Sequence, residues 1–195
     1  LGLWGPSIFR TGVDRAYLRQ VQSAIRESLG EAVNSLQDTR LALGEIPLPH
    51  DGLVADSRKP IVFDDGLRLM IFTRPGLNAV IGSLVTWADH PETLWAHNTE
   101  ITADFPGVLR ESLEKGIRYN GALRTPGLGG THLYINGAIG GLMTTNPETV
   151  VRDPFTGREL RGPSHEKSRA VGNTLAQRIL ECLSSTPPAP EDSPT

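Results

Sequence analysis

Trp87-Ala88-Asp89-His90-Pro91 closes a long apolar run, and Asp104-Phe105-Pro106-Gly107 follows after a short polar loop. An imidazole fixed at a strand end, with a carboxylate a loop away, is a common way to build a metal or proton-transfer site. His90 is expected at the carboxyl end of a buried strand, where open α/β sheets place ligands. Pro91 removes a backbone donor and fixes the following φ, so the ring would be presented from a rigid corner. A neutral histidine nitrogen is a good zinc ligand; the plainer reading is a histidine that caps the strand end by hydrogen bonding. His97 either joins His90 at a metal or is a solvated loop residue. Asp104 either ligates a metal, hydrogen-bonds a histidine, or caps the helix that starts at Phe105.

Two other segments carry groups of interest. Asp56-Ser57-Arg58-Lys59-Pro60 is a polar loop before a strand, and Arg58 in it either clamps a carboxylate or amide oxygen or is simply solvated. Gly137-Ala138-Ile139-Gly140-Gly141 either cradles an anion with backbone N–H groups or makes a tight turn where two backbones approach closely. It has no Gly-Lys-Ser/Thr and lacks the spacing of a dinucleotide fingerprint. Thr144 and Thr145 follow it, but the chain contains no Gly-x-Ser-x-Gly elbow. Cys182 is the only cysteine, which excludes intramolecular disulfides and cysteine-based zinc sites. Late in a helical pattern, it reads as a core or semi-exposed thiol.

These residues need elements to hold them. Apolar residues from Tyr17 to Leu36 recur at helical spacing and predict a helix from about Asp14 to Leu36, its stripe packed against a sheet. Thr39 to Glu45, Leu67 to Thr73, Ala79 to Trp87 and His132 to Asn136 read as strands. Arg74 to Asn78 is a hairpin-like connection, so its flanking strands are expected antiparallel. Ala79 to Trp87 is nearly all apolar or small, which predicts a central strand covered on both faces. Phe105 to Lys115 is a short helix stopped by Gly116, and Ser164 caps a last helix to about Leu183. Ile46 to Lys59 reads as mostly loop, and Arg152 to Gly162 as loop. The sum is an α/β fold (α+β is the variant), with a mixed, partly antiparallel sheet packed by helices.

The 195 residues are 38% apolar, enough for one domain with a core, or one domain plus tails. Net charge is -3 with both signs interspersed, and no Lys/Arg-rich run argues for nucleic acid or an anionic membrane surface. No apolar stretch is long enough to span a bilayer. The start, Leu-Gly-Leu-Trp-Gly-Pro, reads like the middle of a folded segment, and the expectation is a piece of a longer polypeptide. Ser184 to Thr195 is rich in Pro, Ser and acids and reads as a disordered tail, leaving 1–183 as the folded part.

In order and spacing, these segments resemble the amino-terminal domain of neutral/alkaline non-lysosomal ceramidases, and more closely the bacterial proteins of unknown substrate that share it. The resemblance rests on Ser57 to Pro60, Asp65 to Phe72, Trp87 to Pro91, Asn98 with Ile101 to Gly107, Asn136 to Leu142, and the last helix from Glu166. It covers roughly residues 10 to 183. It implies a zinc-dependent hydrolase of an amide (N-acyl) or related bond, acting on a small-molecule or lipid-like substrate and secreted or periplasmic. By the same resemblance His90 is a zinc ligand, Arg58 lines the site, and Asp104 is a structural or supporting position. The family's first histidine ligand would lie upstream of Leu1, and its glutamate and tyrosine ligands beyond Thr195. Its serine falls on Gly140 or Ile139, neither a nucleophile. The isolated chain is therefore expected to bind zinc weakly and to be inactive. The alternative is a non-catalytic binding or surface module derived from the same fold.

Overall fold

The structure, a computed structural model, describes residues 12–50, 52–77, 79–96, 98–144 and 149–185. The described chain divides at Asp38 into two compact units. The first contains helix α1, Arg15–Asn34. Asp14 is its N-cap: Oδ1 accepts from the N–H groups of Ala16 at 2.8 Å and Tyr17 at 3.1 Å. The helix forms where its periodicity places it, but none of its residues is buried, and Tyr17, Ile25, Leu29 and Val33 are all exposed. Spacing records amphipathicity, not what covers the stripe.

The second unit is built on a four-stranded sheet of order β1-β3-β4-β7. Its strands are β1 Arg40–Pro47, β3 Gly66–Thr73, β4 Val80–Trp87 and β7 Thr131–Asn136; β2, Ala55–Asp56, lies outside it. β1, β3 and β4 run antiparallel in sequence, and β7 joins β4 in parallel. That parallel pairing needs a crossover. The crossover carries α2, Asp104–Lys115, and a hairpin of β5 Ile117–Tyr119 and β6 Ala122–Thr125. Gly82 sits where β4 approaches β7 closely, and any Cβ there would collide with the Thr131 carbonyl. After β7 come β8 Leu142–Met143, the small hairpin β9 Val151–Arg152 with β10 Glu159–Leu160, and α3 His165–Ser185. The Lys167 N–H donates to Ser164 Oγ at 3.1 Å, so Ser164 caps α3 as its position predicts. The mixed, partly antiparallel α/β architecture matches the expectation.

One face of the sheet makes the core. Leu67, Leu69 and Ile71 of β3, and Val85 and Trp87 of β4, join Phe105, Leu109 and Leu113 of α2 and Val171, Leu175 and Ile179 of α3 in one buried cluster. The two helices touch closely at Gly172, where a Cβ would lie 2.6 Å from Val108 Cβ. The other face is different. Register aligns Leu43, Met70, Leu84 and Leu133 in one row across all four strands, and Leu43 is 71% and Leu133 55% exposed. β4 is interior in the sheet, and within this unit one of its faces is covered by α2 and α3. Its apolar run reports burial potential on each side, and within this unit one side meets helices.

Two further corrections concern loops. Ala55–Asp56 and the 152–162 segment contribute the short strands β2, β9 and β10, too brief for a period-2 pattern to show. α3 extends over Ser184 and Ser185, and the remainder of the expected tail, like the Trp4 segment, lies outside the described residues. No helix among the described residues is long and apolar enough to cross a membrane.

Candidate functional site

His90 stands just past the end of β4, and β8 fixes it. The Leu142 carbonyl accepts from both the His90 backbone N–H, at 3.0 Å, and Nδ1, at 2.8 Å. A carbonyl only accepts, so Nδ1 carries the proton, and Nε2 is left as the lone-pair nitrogen. This is the arrangement by which a backbone carbonyl orients a metal-ligating or proton-accepting imidazole. It also realises the plainer expectation, since the same bonds cap the strand end.

β8 ties the other segments to His90. It pairs with β2, whose end leads into Ser57 and Arg58. Ser57 donates to the Gly141 carbonyl through its backbone N–H at 2.9 Å and its Oγ at 3.1 Å. The Arg58 side chain lies over Gly140 and Gly141: a Cβ on Gly141 would come within 2.6 Å of Arg58 Nε. A larger residue at Gly141 would have to displace the Arg58 side chain and that of Asp56, whose Oδ1 would lie 2.6 Å from its Cβ. Arg58 is aligned by Asp56, whose Oδ1 accepts from the Arg58 N–H at 3.0 Å and Nε at 3.4 Å. Hydrogen bonds from the Val62 and Arg58 N–H groups hold the Asp56 carboxyl below its usual range. The glycine segment itself is a tight turn against the end of β4, with the Gly137 N–H donating to the Trp87 carbonyl at 2.9 Å. That is the close backbone approach, the second of its two sequence readings.

Asp104 serves the loop that carries His90. It opens α2 with φ +52°. Its Oδ1 accepts from Thr93 Oγ1 at 2.5 Å and from the Phe105 N–H at 2.6 Å, and Oδ2 from the Leu94 N–H at 3.4 Å. One carboxylate thus ties the segment after Pro91 to the first turn of α2. His97 and Thr145 lie outside the described residues. Arg58, His90 and the glycine turn are drawn to one end of the sheet through β8, and Asp104 is linked to them through the His90 loop.

Sequence reasoning gave no role to the groups buried beside His90. Asp89 and Lys167 are wholly buried. Burial pushes the Asp89 carboxyl well above its usual range; Asp104 and Glu92 add to the rise, while the His90 N–H and Lys167 oppose it. Burial likewise pushes the Lys167 amine down, with Asp89 opposing, and raises the Tyr134 phenol. Lys167 Nζ donates to the Thr149 carbonyl at 3.1 Å. A signal was present: a carboxylate between Ala88 and His90 at the end of a buried strand has little access to water.

Mid-sheet, His132 is also buried. Nε2 donates to the Gly129 carbonyl at 2.8 Å, so Nδ1 accepts from Ser83 Oγ at 2.7 Å. With both partners buried, the pair braces β4 to β7 and offers no nucleophile to a substrate. Burial holds His132 below its usual value of 6.5. The unfolded chain then binds the extra proton, so stability falls as pH drops from about 6.5 toward the lowered folded value and is unaffected above. Denaturant unfolding measured across that window should show this slope, and His132→Gln should flatten it. An identical slope in the variant would assign it elsewhere.

Among the described residues, no group of three or more His, Cys, Asp or Glu converges to hold a metal ion. His90 Nε2 stands at the strand end without such a group of ligands around it among the described residues.

No protein-family model matches the sequence, and no curated protein matches it. Solved structures do. A neutral ceramidase from Pseudomonas aeruginosa superposes with a TM-score of 0.59 at 16% identity, covering 82% of this chain and 25% of that one. A ceramidase complexed with C2 gives a TM-score of 0.58 at 14% identity, covering 80% of this chain and 24% of that one. The chain has a ceramidase-like fold and spans about a quarter of the length of these structures.

Proposed function

We propose, from the ceramidase-like fold and the orientation of His90, that the chain is part of a zinc-dependent, ceramidase-like hydrolase of an amide or related bond in a small-molecule or lipid-like substrate. The observation that carries this is the Nδ1 to Leu142 hydrogen bond, which leaves Nε2 free to ligate at the strand end. His90 supplies one ligand, and the others come from outside the described residues. Zinc, when held, polarises a carbonyl and lowers the pKa of bound water. Arg58, aligned by Asp56, orients the substrate and stabilises negative charge developing on its oxygen. Asp104 acts at one remove, by fixing the His90 loop to α2. Positions 139 and 140 hold Ile and Gly, so water is the nucleophile in place of a serine.

The test is metal analysis of the full-length protein. After dialysis the wild type should retain zinc, and His90→Ala should lose it together with hydrolysis of acyl amides. Equal zinc content and equal hydrolysis in the variant would refute the role of His90. The absence of a serine at 139 and 140 favours a second reading, a non-catalytic binding module on the same fold. That reading expects no hydrolysis of any acyl amide by the zinc-loaded wild type.

A further inference from the structure

The described residues contain four buried side-chain oxygens with no hydrogen-bond partner: Asp89 Oδ1 and Oδ2, Glu92 Oε1 and Thr144 Oγ1. All lie around His90. Asp89 and Glu92 flank it in sequence, and Thr144 follows Met143, which forms a parallel bridge with His90. Asp89 and Thr144 are both 0% exposed. Unpartnered polar atoms are rare in folded proteins, and an unpaired buried carboxylate is costly. Four in one neighbourhood call for a common partner.

The chemistry of that partner follows from what is in excess. Asp89, Glu92 and Asp104 bring three carboxyl groups to this strand end, and Lys167 is the buried lysine among the described residues. Lys167 Nζ is hydrogen-bonded to the Thr149 carbonyl, while Thr149 Oγ1 bonds the Met143 carbonyl at 3.4 Å. This chain of contacts draws Asp89, Lys167 and the Met143-Thr144 segment together. All four are oxygens: the carboxyl groups of Asp89 and Glu92 offer lone pairs, and the Thr144 hydroxyl accepts as well as donates, so a positive, oxygen-seeking component would serve all of them. The zinc reading of His90 does not satisfy them, because a nitrogen ligand leaves the carboxylate as it was. Of Asp89, Glu92 and Thr144, only Glu92 lines the adjoining cavity of about 360 Å³, whose other walls include Leu94, Trp95, Asn98, Thr102 and Asp104.

We propose that Asp89, Glu92 and Thr144 hold a hard divalent cation of the magnesium class, with water completing its shell, at a site separate from the Nε2 position of His90. Two carboxylates and a hydroxyl are fewer than a closed protein cage, which suits an ion that retains several waters. The cation would tie the loop after β4 to the end of β8 and stiffen the mount of His90. The inference does not depend on hydrolytic activity.

The full chain, stripped with chelator and dialysed, is heated with increasing magnesium or calcium chloride against sodium chloride of matched ionic strength. The unfolding midpoint should rise with the logarithm of magnesium concentration, as mass action requires of a ligand bound only by the folded state. Asp89→Asn keeps the shape and removes the charge: its ion-free midpoint should exceed that of the wild type, and the magnesium response should vanish. Thr144→Val should weaken the response, and His90→Ala should keep it. A wild-type midpoint indifferent to both ions, or a response undiminished in Asp89→Asn, overturns the proposal. Loss of the response in His90→Ala does so too, since it would place the ion at the imidazole.

Discussion

Asp104→Ala should lower the free energy of unfolding by about 2–4 kcal/mol, because it removes a charged acceptor from two short buried hydrogen bonds and leaves their donors unpaired. The donors are Thr93 Oγ1, at 2.5 Å, and the Phe105 N–H, at 2.6 Å. Backbone adds to the cost. Asp104 has φ +52°, a left-handed conformation that Asp and Asn tolerate and alanine disfavours. Three variants separate the contributions. Asp104→Gly relieves the backbone and loses the carboxylate, so it should recover only the smaller part. Asp104→Asn keeps both the acceptor and the tolerance for this φ, and should retain most of the stability. On the proposed hydrolase reading, the rate of the full-length protein on an acyl amide distinguishes supporting from acid–base chemistry. A residue that works through the His90 loop lets Asn retain most of the rate; a proton carrier fails as Asn just as it does as Ala. Loss of the rate in a well-folded Asp104→Asn would overturn the supporting role.

The elements that mount the site were legible where side-chain period or punctuation is strong. β3 and β4 announce themselves as apolar runs around a Pro-Gly turn. Gly116, at φ +95°, stops α2, and Ser164 starts α3. The β5–β6 hairpin was legible and went unread: Asn120-Gly121, both at positive φ, is the turn dipeptide that two-residue hairpins prefer. Other features have no local signature. The parallel pairing of β7 with β4 is a property of the crossover, and His132 alone does not disclose that Ser83 waits across the sheet. At the site, His90, Arg58 and the glycine turn could each be singled out by type, but β8, two residues long, is what brings them together. The Asp89 cluster was hidden for another reason. A buried carboxylate is informative through its lack of partners, and partners are not written along the chain.

Phe105→Ala should cost about 3–5 kcal/mol, in the range for emptying a fully buried aromatic site. Phe105 is 0% exposed and stands edge-on to two rings, Trp87 with centroids 5.7 Å apart and Tyr134 at 5.6 Å. Each such pair adds about 0.5–1.5 kcal/mol beyond area burial. The ring is also the joint of the unit. It fixes the first turn of α2 against the end of β4, and its carbonyl faces Gly172, where a Cβ would lie 2.8 Å away, so α3 has little room to settle into the void. Incomplete collapse places the cost toward the upper end of the range. Tyr134 donates to the Trp87 carbonyl at 2.9 Å, which holds the strand ends together even without the ring between them. The fold should therefore survive with its sheet intact while the end that carries His90 loosens. Denaturant unfolding gives the loss of stability, and Trp87, just before Asp89-His90, reports the loosening through near-ultraviolet circular dichroism. Phe105→Leu, which refills most of the volume but forms no edge-on pairs, should recover more than half of the loss. A Phe105→Ala cost below about 1 kcal/mol would mean that the void collapses freely and that α2 is held by Leu109 and Leu113 instead.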